Sequence, residues 1–164
     1  MTHNIAVSIQ AAALGLTCGL GTVIVLFYNG VILSGVCLDY IDAGQGEFLA
    51  GWLLPHGSVE IPAILLAGQI GLALGGALIG WGERTALRER MREVSGDLVT
   101  LLIGLSGLLV WAGIVEAFFS QYHQPLVPYW TKIGFGAVQL AAGVLWIALA
   151  GRRPDPEPSA EEDE

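Results

Sequence analysis

Charged residues are scarce in this sequence, and their scarcity decides the class of protein. Only 13% of the 164 residues are charged, whereas 54% are hydrophobic and the mean hydropathy is +0.64. Soluble domains carry about twice that share of charge. The stretch from Ile5 to Leu38 contains no Asp, Glu, Lys, Arg or His, and about 20 apolar residues suffice to span a bilayer. An integral membrane protein with an all-α fold is therefore expected.

Basic residues and cysteines are also few. The seven Lys and Arg residues form no nucleic-acid-binding patch, and neither a phosphate-binding loop nor an internal repeat is visible. Cys18 and Cys37 fall on one apolar segment, where a straight helix would hold them about 30 Å apart, so no disulfide is expected. The segment from Ile5 is too long for a signal peptide and lacks preceding basic residues.

Acidic residues are concentrated at the C-terminus. The formal net charge is −8, but six of the fifteen acidic residues lie in the last ten positions. This Pro-rich stretch has no large apolar residue to bury, so it cannot offset its ordering entropy. We expect a transmembrane domain over 1–151 and a disordered, cytoplasmic tail over 152–164.

Four apolar segments predict four membrane-spanning helices. Asn29-Gly30 suggests a bend in the first segment, and Pro55 to Ser58 interrupts the second. We therefore expect a re-entrant helix over Phe48 to Leu54 before the second full span. The four predicted spans are Ile5 to Leu38, Ser58 to about Gly80, Leu98 to Ser120, and Thr131 to Ala150.

The basic residues predict the orientation in the cell membrane. Four arginines lie in the connector between spans two and three, two more follow span four, and Lys132 alone lies on the opposite side. The positive-inside rule therefore places both termini and this connector in the cytoplasm. The six arginines are Arg84, Arg88, Arg90, Arg92, Arg152 and Arg153.

Polar residues of three predicted spans fall at one depth. At 1.5 Å per residue, Glu60 and Glu116 each lie about 30 Å from the cytoplasmic end of their helix, and Asn29 lies similarly far along the first segment. His56 precedes Glu60 at the expected break. We predict one polar intramembrane site formed by Asn29, His56, Glu60 and Glu116.

Several roles are open for these groups. Ser58, following Gly57, offers an N-cap that would place Glu60 and Pro62 in the first turn of a helix, where a carboxylate is favoured and proline is tolerated. Glu116 has no such cap and requires a partner, a proton or water. We expect a shared proton and a hydrogen-bond network to compensate the two carboxylates.

A metal is the second option for the same residues. His56, Glu60, Glu116 and His123 are ligand types that zinc accepts, but the spacing matches no established zinc motif. Structural packing is therefore favoured over a cofactor. No nucleophile with a base can be identified, so no catalytic residue is assigned and an enzyme is disfavoured.

Glycine pairs at four-residue spacing predict close helix packing. They occur at Gly15 and Gly19, at Gly71 and Gly75, and at Gly76 and Gly80. Small residues at this spacing let helix backbones approach one another. We expect close packing of the first two segments and also a homodimer.

The stretch PHGSVEIPAILLAG, from Pro55 to Gly68, resembles the PHG-x-x-E-x-P-A motif of the stage II sporulation protein M family. Further agreement lies at Asn4-Ile5, Gly19 to Thr22, Asn29-Gly30 and Glu116 to Phe118. The resemblance implies a multi-span membrane protein of bacteria or archaea. Founding members work with peptidoglycan-cleaving partners in engulfment, but this chain begins directly at the core motif.

Two functions are consistent with these features. The first is a non-enzymatic membrane scaffold or assembly protein that recruits other membrane proteins for envelope remodelling or transport. The second is a small transporter or permease component whose intramembrane glutamates handle a cation or a proton. Apart from the bilayer, the expected partners are membrane proteins and a second copy of the chain, and no nucleic acid is expected.

Overall fold

The computed structural model describes residues 2–82, 85–122 and 125–150, and all regular elements in these ranges are helical. Four of them are long and apolar enough to cross a bilayer, namely α2, α3, α4 with its π-helical turn, and α5. The prediction of an all-α, four-span protein is confirmed, whereas the predicted tail lies outside the described residues. The elements are α1 (Thr2–Ala13), a 3-10 turn (Leu14–Thr17), α2 (Leu20–Asp42), α3 (Gly46–Ile79), α4 (Leu87–Val115), a π-helical turn (Glu116–Ser120) and α5 (Tyr129–Ala150).

The first apolar segment forms two helices, so the single span expected from Ile5 to Leu38 is wrong. The chain leaves α1 through the 3-10 turn and two residues with left-handed backbone, Cys18 (φ 58°) and Gly19 (φ 82°). The Thr22 hydroxyl donates to the Ala11 carbonyl at 2.8 Å, which gives the end of α1 a polar partner. At about 18 Å, α1 is too short to cross the hydrocarbon core.

The break reverses the direction of the chain, so α1 runs parallel to α3 and α2 runs antiparallel to it. Asn4 bonds to Glu60, and Gly15 lies against Gly71 further along α3. Arg90, near the start of α4 and next to the connector, bonds instead to the C-terminal end of α3. The start of α1 therefore lies away from the connector. The sequence predicts the N-terminus on the same side of the membrane as the connector, and this arrangement does not agree with that prediction.

The second apolar region forms one continuous helix, α3. The expected break at Pro55 to Ser58 and the re-entrant helix over Phe48 to Leu54 do not occur, because both Pro55 and Pro62 lie inside α3. Proline removes the N–H that would bond to the carbonyl four residues earlier, and a membrane helix tolerates this loss when neighbouring helices pack against it. Gln139 of α5 donates to the Pro55 carbonyl at 2.7 Å. The bend expected at Asn29-Gly30 is also absent, since α2 is helical through both residues.

α3 lies at the centre and contacts α1, α2, α4 and α5. The predicted close packing of the glycine-rich segments is present within the chain. A Cβ atom on Gly75 would lie 2.5 Å from the Gly19 nitrogen, which leaves room only for glycine. Both cysteines are free thiols, as expected. The buried apolar core consists of Ala11, Ala63, Ala67, Ile70 and Leu105.

Candidate functional site

A cavity of about 270 Å³ lies beside the N-terminal half of α3, on the side of the bundle away from the connector. Helices α1, α2, α3 and α4 with its π-helical turn all contribute to its wall. The structure brings Asn29, His56, Glu60 and Glu116 together around this cavity, although they come from three separate helices. The polar lining residues are His3, Asn4, Asn29, His56, Glu60 and Glu116.

Glu60 lies on the wall of the cavity with only 3% of its surface exposed. The Asn4 side-chain amide donates to Glu60 Oε2. Within the described part of the chain, Glu60 Oε1 is buried and accepts no hydrogen bond. A buried carboxylate oxygen without a partner is costly in a membrane, so this atom is an acceptor on the cavity wall that a ligand could satisfy.

His56 is buried between the cavity and α4. Its Nδ1 atom lies 3.0 Å from the Ser120 hydroxyl, and its ring lies edge-on to Trp52 with 5.4 Å between the ring centroids. Both contacts fix the ring orientation. His56 was expected in a turn above the second span, but it occupies a helical position in α3.

The motif residues around His56 have helical roles as well. Gly57 packs against its own helix neighbour Leu53, and Ser58 accepts a hydrogen bond from Gln139 at 3.4 Å. Ser58 does not cap a helix, and neither Glu60 nor Pro62 lies in a first turn. The predicted capping role is wrong because α3 begins at Gly46.

Glu116 reaches the cavity from the other side, at the end of α4. It begins the π-helical turn Glu116–Ser120, which the sequence WAGIVEAFF did not indicate. Single π-helical turns insert one extra residue into a helix and occur frequently at functional sites. The turn presents Glu116 to the cavity and Ser120 to His56.

Lys132 of α5 is a site neighbour that sequence reasoning did not identify. The sequence identifies it only as the single basic residue on its side of the membrane and gives no sign that it lies next to His56. Its side chain is 1% exposed, and Nζ donates to the Ser120 carbonyl at 2.8 Å. Ser120 thus bonds to His56 through its hydroxyl and to Lys132 through its carbonyl.

The metal option rests on His56, Glu60, Glu116 and His123. Among the described residues, no group of three or more His, Cys, Asp or Glu side chains is arranged to hold a metal ion. His56 Nδ1 is already engaged with Ser120. His123 lies outside the described residues.

Comparison with known families gives a match that covers most of the chain. The family model described as Stage II sporulation protein M matches residues 1–121, which cover α1 to α4 and every polar residue of the cavity wall. No curated protein and no solved structure matches the chain.

Proposed function

The chain belongs to the stage II sporulation protein M family, and we propose that it is a non-enzymatic integral membrane scaffold or assembly protein with a polar intramembrane site. Its partners are other membrane proteins of envelope-remodelling or transport complexes, and a second copy of the chain. The engulfment role of the founding members is not carried over to this chain.

The observation that supports a scaffold is the closed packing of the bundle below the cavity. The deepest cavity residue on α3 is Ile64. Beyond it, the backbone of α3 packs against the end of α1 and the turn that follows it, with Gly71 against Ala11 and Gly75 against Gly19. An added Cβ atom at either glycine would overlap the opposite backbone, so this interface leaves no space for a solute to continue along it. A chain packed in this way favours holding partners over conducting a solute by itself.

Site-specific photo-crosslinking in the membranes of the native host tests this function. A photoreactive residue at Trp146, which is 71% exposed on α5, should form an adduct with a specific membrane protein. A second photoreactive residue at Phe27, which is 74% exposed on α2, probes another face of the bundle in the same way. A partner should be captured from one of these two faces. Lipid adducts alone from both faces would count against a scaffold.

A transporter component is the second candidate, and the unpartnered Glu60 Oε1 atom favours it. Intramembrane acids that exchange a proton or a cation are found in transporters. Liposomes containing purified protein should then show a flux that Glu60→Gln abolishes. A flux through the wild-type protein that depends on Glu60 would favour the transporter over the scaffold. The scaffold function predicts no flux.

The orientation that fits this function places the arginine-rich connector in the cytoplasm. Arg88, Arg90 and Arg92 lie in the first turns of α4, next to this connector, and favour the cytoplasmic side by the positive-inside rule. The cavity then lies in the outer half of the membrane, and the short helix α1 begins in that half.

A further inference from the structure

The cavity has a polar floor and an apolar mouth. The polar groups come from His3, Asn4, Asn29, His56, Glu60 and Glu116. Ile32 of α2 and Ile61 of α3 line the same cavity, and both side chains are also exposed at the surface of the bundle. Because α2 and α3 are membrane spans, this mouth opens toward lipid. A ligand can therefore enter from the bilayer between these two helices.

The floor calls for a positively charged or hydrogen-bond-donating group. Glu60 Oε1 accepts no hydrogen bond from the described residues, although the side chain is almost fully buried. A second carboxylate, that of Glu116, lines the same space. An anionic ligand would be repelled by both acids, and an uncharged apolar ligand would leave Glu60 Oε1 without a partner.

The size and walls of the cavity do not suit a bare metal ion. The volume of about 270 Å³ greatly exceeds the share of one water molecule, about 30 Å³. The remaining walls are mainly apolar, and Trp52 presents an aromatic ring to the space. Aromatic rings attract organic cations, and apolar walls bind a hydrocarbon chain.

We propose that this cavity binds a primary ammonium group carried on a hydrocarbon chain. The ammonium group donates to Glu60 Oε1, and the chain leaves between Ile32 and Ile61 toward the bilayer. An ammonium offers three donors, which match a site rich in oxygen acceptors. Such a group occurs in free long-chain amines and in aminophospholipid headgroups. This inference goes beyond the scaffold function and is tested separately from it.

Native mass spectrometry of the purified full chain in detergent provides the test. Dodecylamine should bind saturably with one molecule per chain, and dodecanol of equal chain length should bind about tenfold more weakly, because the charged hydrogen bond is missing. Glu60→Gln should weaken dodecylamine binding by a similar factor. The matched control is Asp39→Asn, which removes an exposed acid at the outer end of α2 without touching the cavity.

A second pair of ligands identifies the source of the ammonium. Phosphatidylethanolamine and phosphatidylglycerol with the same acyl chains differ in the headgroup amine. Retention of phosphatidylethanolamine alone, dependent on Glu60, supports a lipid headgroup. Binding of dodecylamine without either phospholipid supports a free amine.

Three results would overturn the proposal: equal binding of dodecylamine and dodecanol, unchanged dodecylamine binding in Glu60→Gln, or no saturable binding of either amine. If Glu60→Gln fails to fold, Ile61→Trp keeps the acid and fills the mouth of the cavity. That variant should lose saturable dodecylamine binding, and retained binding would equally overturn the proposal.

Discussion

At the scale of single residues, Ser120 connects two buried polar side chains. Its hydroxyl lies 3.0 Å from His56 Nδ1, and its carbonyl accepts a hydrogen bond from Lys132 Nζ at 2.8 Å. All three residues are buried. Because a buried polar group without a partner is costly, this chain of contacts holds His56 in place on the cavity wall.

Ser120→Ala should destabilise the protein by about 1–3 kcal/mol, because His56 Nδ1 loses its partner in a buried setting. The control is Ser106→Ala on α4, where the hydroxyl bonds only to the Leu102 carbonyl of its own helix. Chemical unfolding in detergent measures both variants. Equal stability of the two would contradict the role assigned to Ser120.

At the scale of elements, the short half-span α1 is held by a backbone contact. The turn after α1 presses against α3, with Gly75 meeting Cys18 and Gly19. The next residue, Gly76, has open space where a Cβ would lie. Alanine substitutions at these two adjacent glycines therefore separate two effects on stability: close approach of the backbones at Gly75, and helix propensity alone at Gly76.

Gly75→Ala should lower the free energy of unfolding by about 1–3 kcal/mol, since the added methyl group meets backbone atoms that cannot give way. Gly76→Ala should be neutral or stabilising by up to about 1 kcal/mol, because alanine is the better helix former. Thermal unfolding of both variants measures the difference. A Gly75→Ala protein as stable as Gly76→Ala would refute the close contact.

The end of α3 depends on the guanidinium of Arg90. It donates through Nε to the Ala77 carbonyl at 2.8 Å and through Nη1 to the Thr85 carbonyl at 2.6 Å. These bonds satisfy a carbonyl in the last turn of the helix and fix the start of the connector.

Arg90→Lys should cost about 1 kcal/mol or more, because a lysine ammonium cannot reproduce the forked donor geometry. Arg88→Lys is the control, since it conserves the charge of the connector at an exposed position. Denaturant unfolding compares the two variants. If Arg88→Lys loses as much stability as Arg90→Lys, the loss does not come from the hydrogen bonds of Arg90.

At the scale of the whole molecule, the fold fixes which loops share a side. The turn between α2 and α3 lies at one end of α3, and the connector between α3 and α4 lies at the other. One accessible position in each therefore tests the orientation.

Gln45→Cys should react with a membrane-impermeant maleimide in intact cells, and Thr85→Cys only after permeabilisation. Both residues are exposed in their loops, and Cys18 and Cys37 are first replaced by serine to remove background. The reverse labelling pattern would show that the orientation is the opposite one and that the cavity lies in the inner half of the membrane.

The sequence alone determined that the chain lies in a membrane, how many spans it has, and the depth of Glu60 and Glu116 along their helices. Long apolar segments have few alternatives to a spanning helix, and the fixed helical rise converts sequence distance into depth. All four predicted residues, Asn29, His56, Glu60 and Glu116, line one cavity in the structure. The depth argument holds for Glu60 and Glu116, but that for Asn29 assumed an unbroken first span, which the structure does not have.

Only the tertiary structure decided where helices break and which neighbours complete the site. A proline disfavours a helix locally, yet α3 continues through Pro55 and Pro62. Gln139, from a helix distant in sequence, bonds to the Pro55 carbonyl and ties this part of α3 to α5. The chain breaks instead at Cys18 and Gly19, where close packing on α3 determines the outcome. Lys132 reaches Ser120 only because α5 packs beside the π-helical turn, and no local pattern encodes that contact.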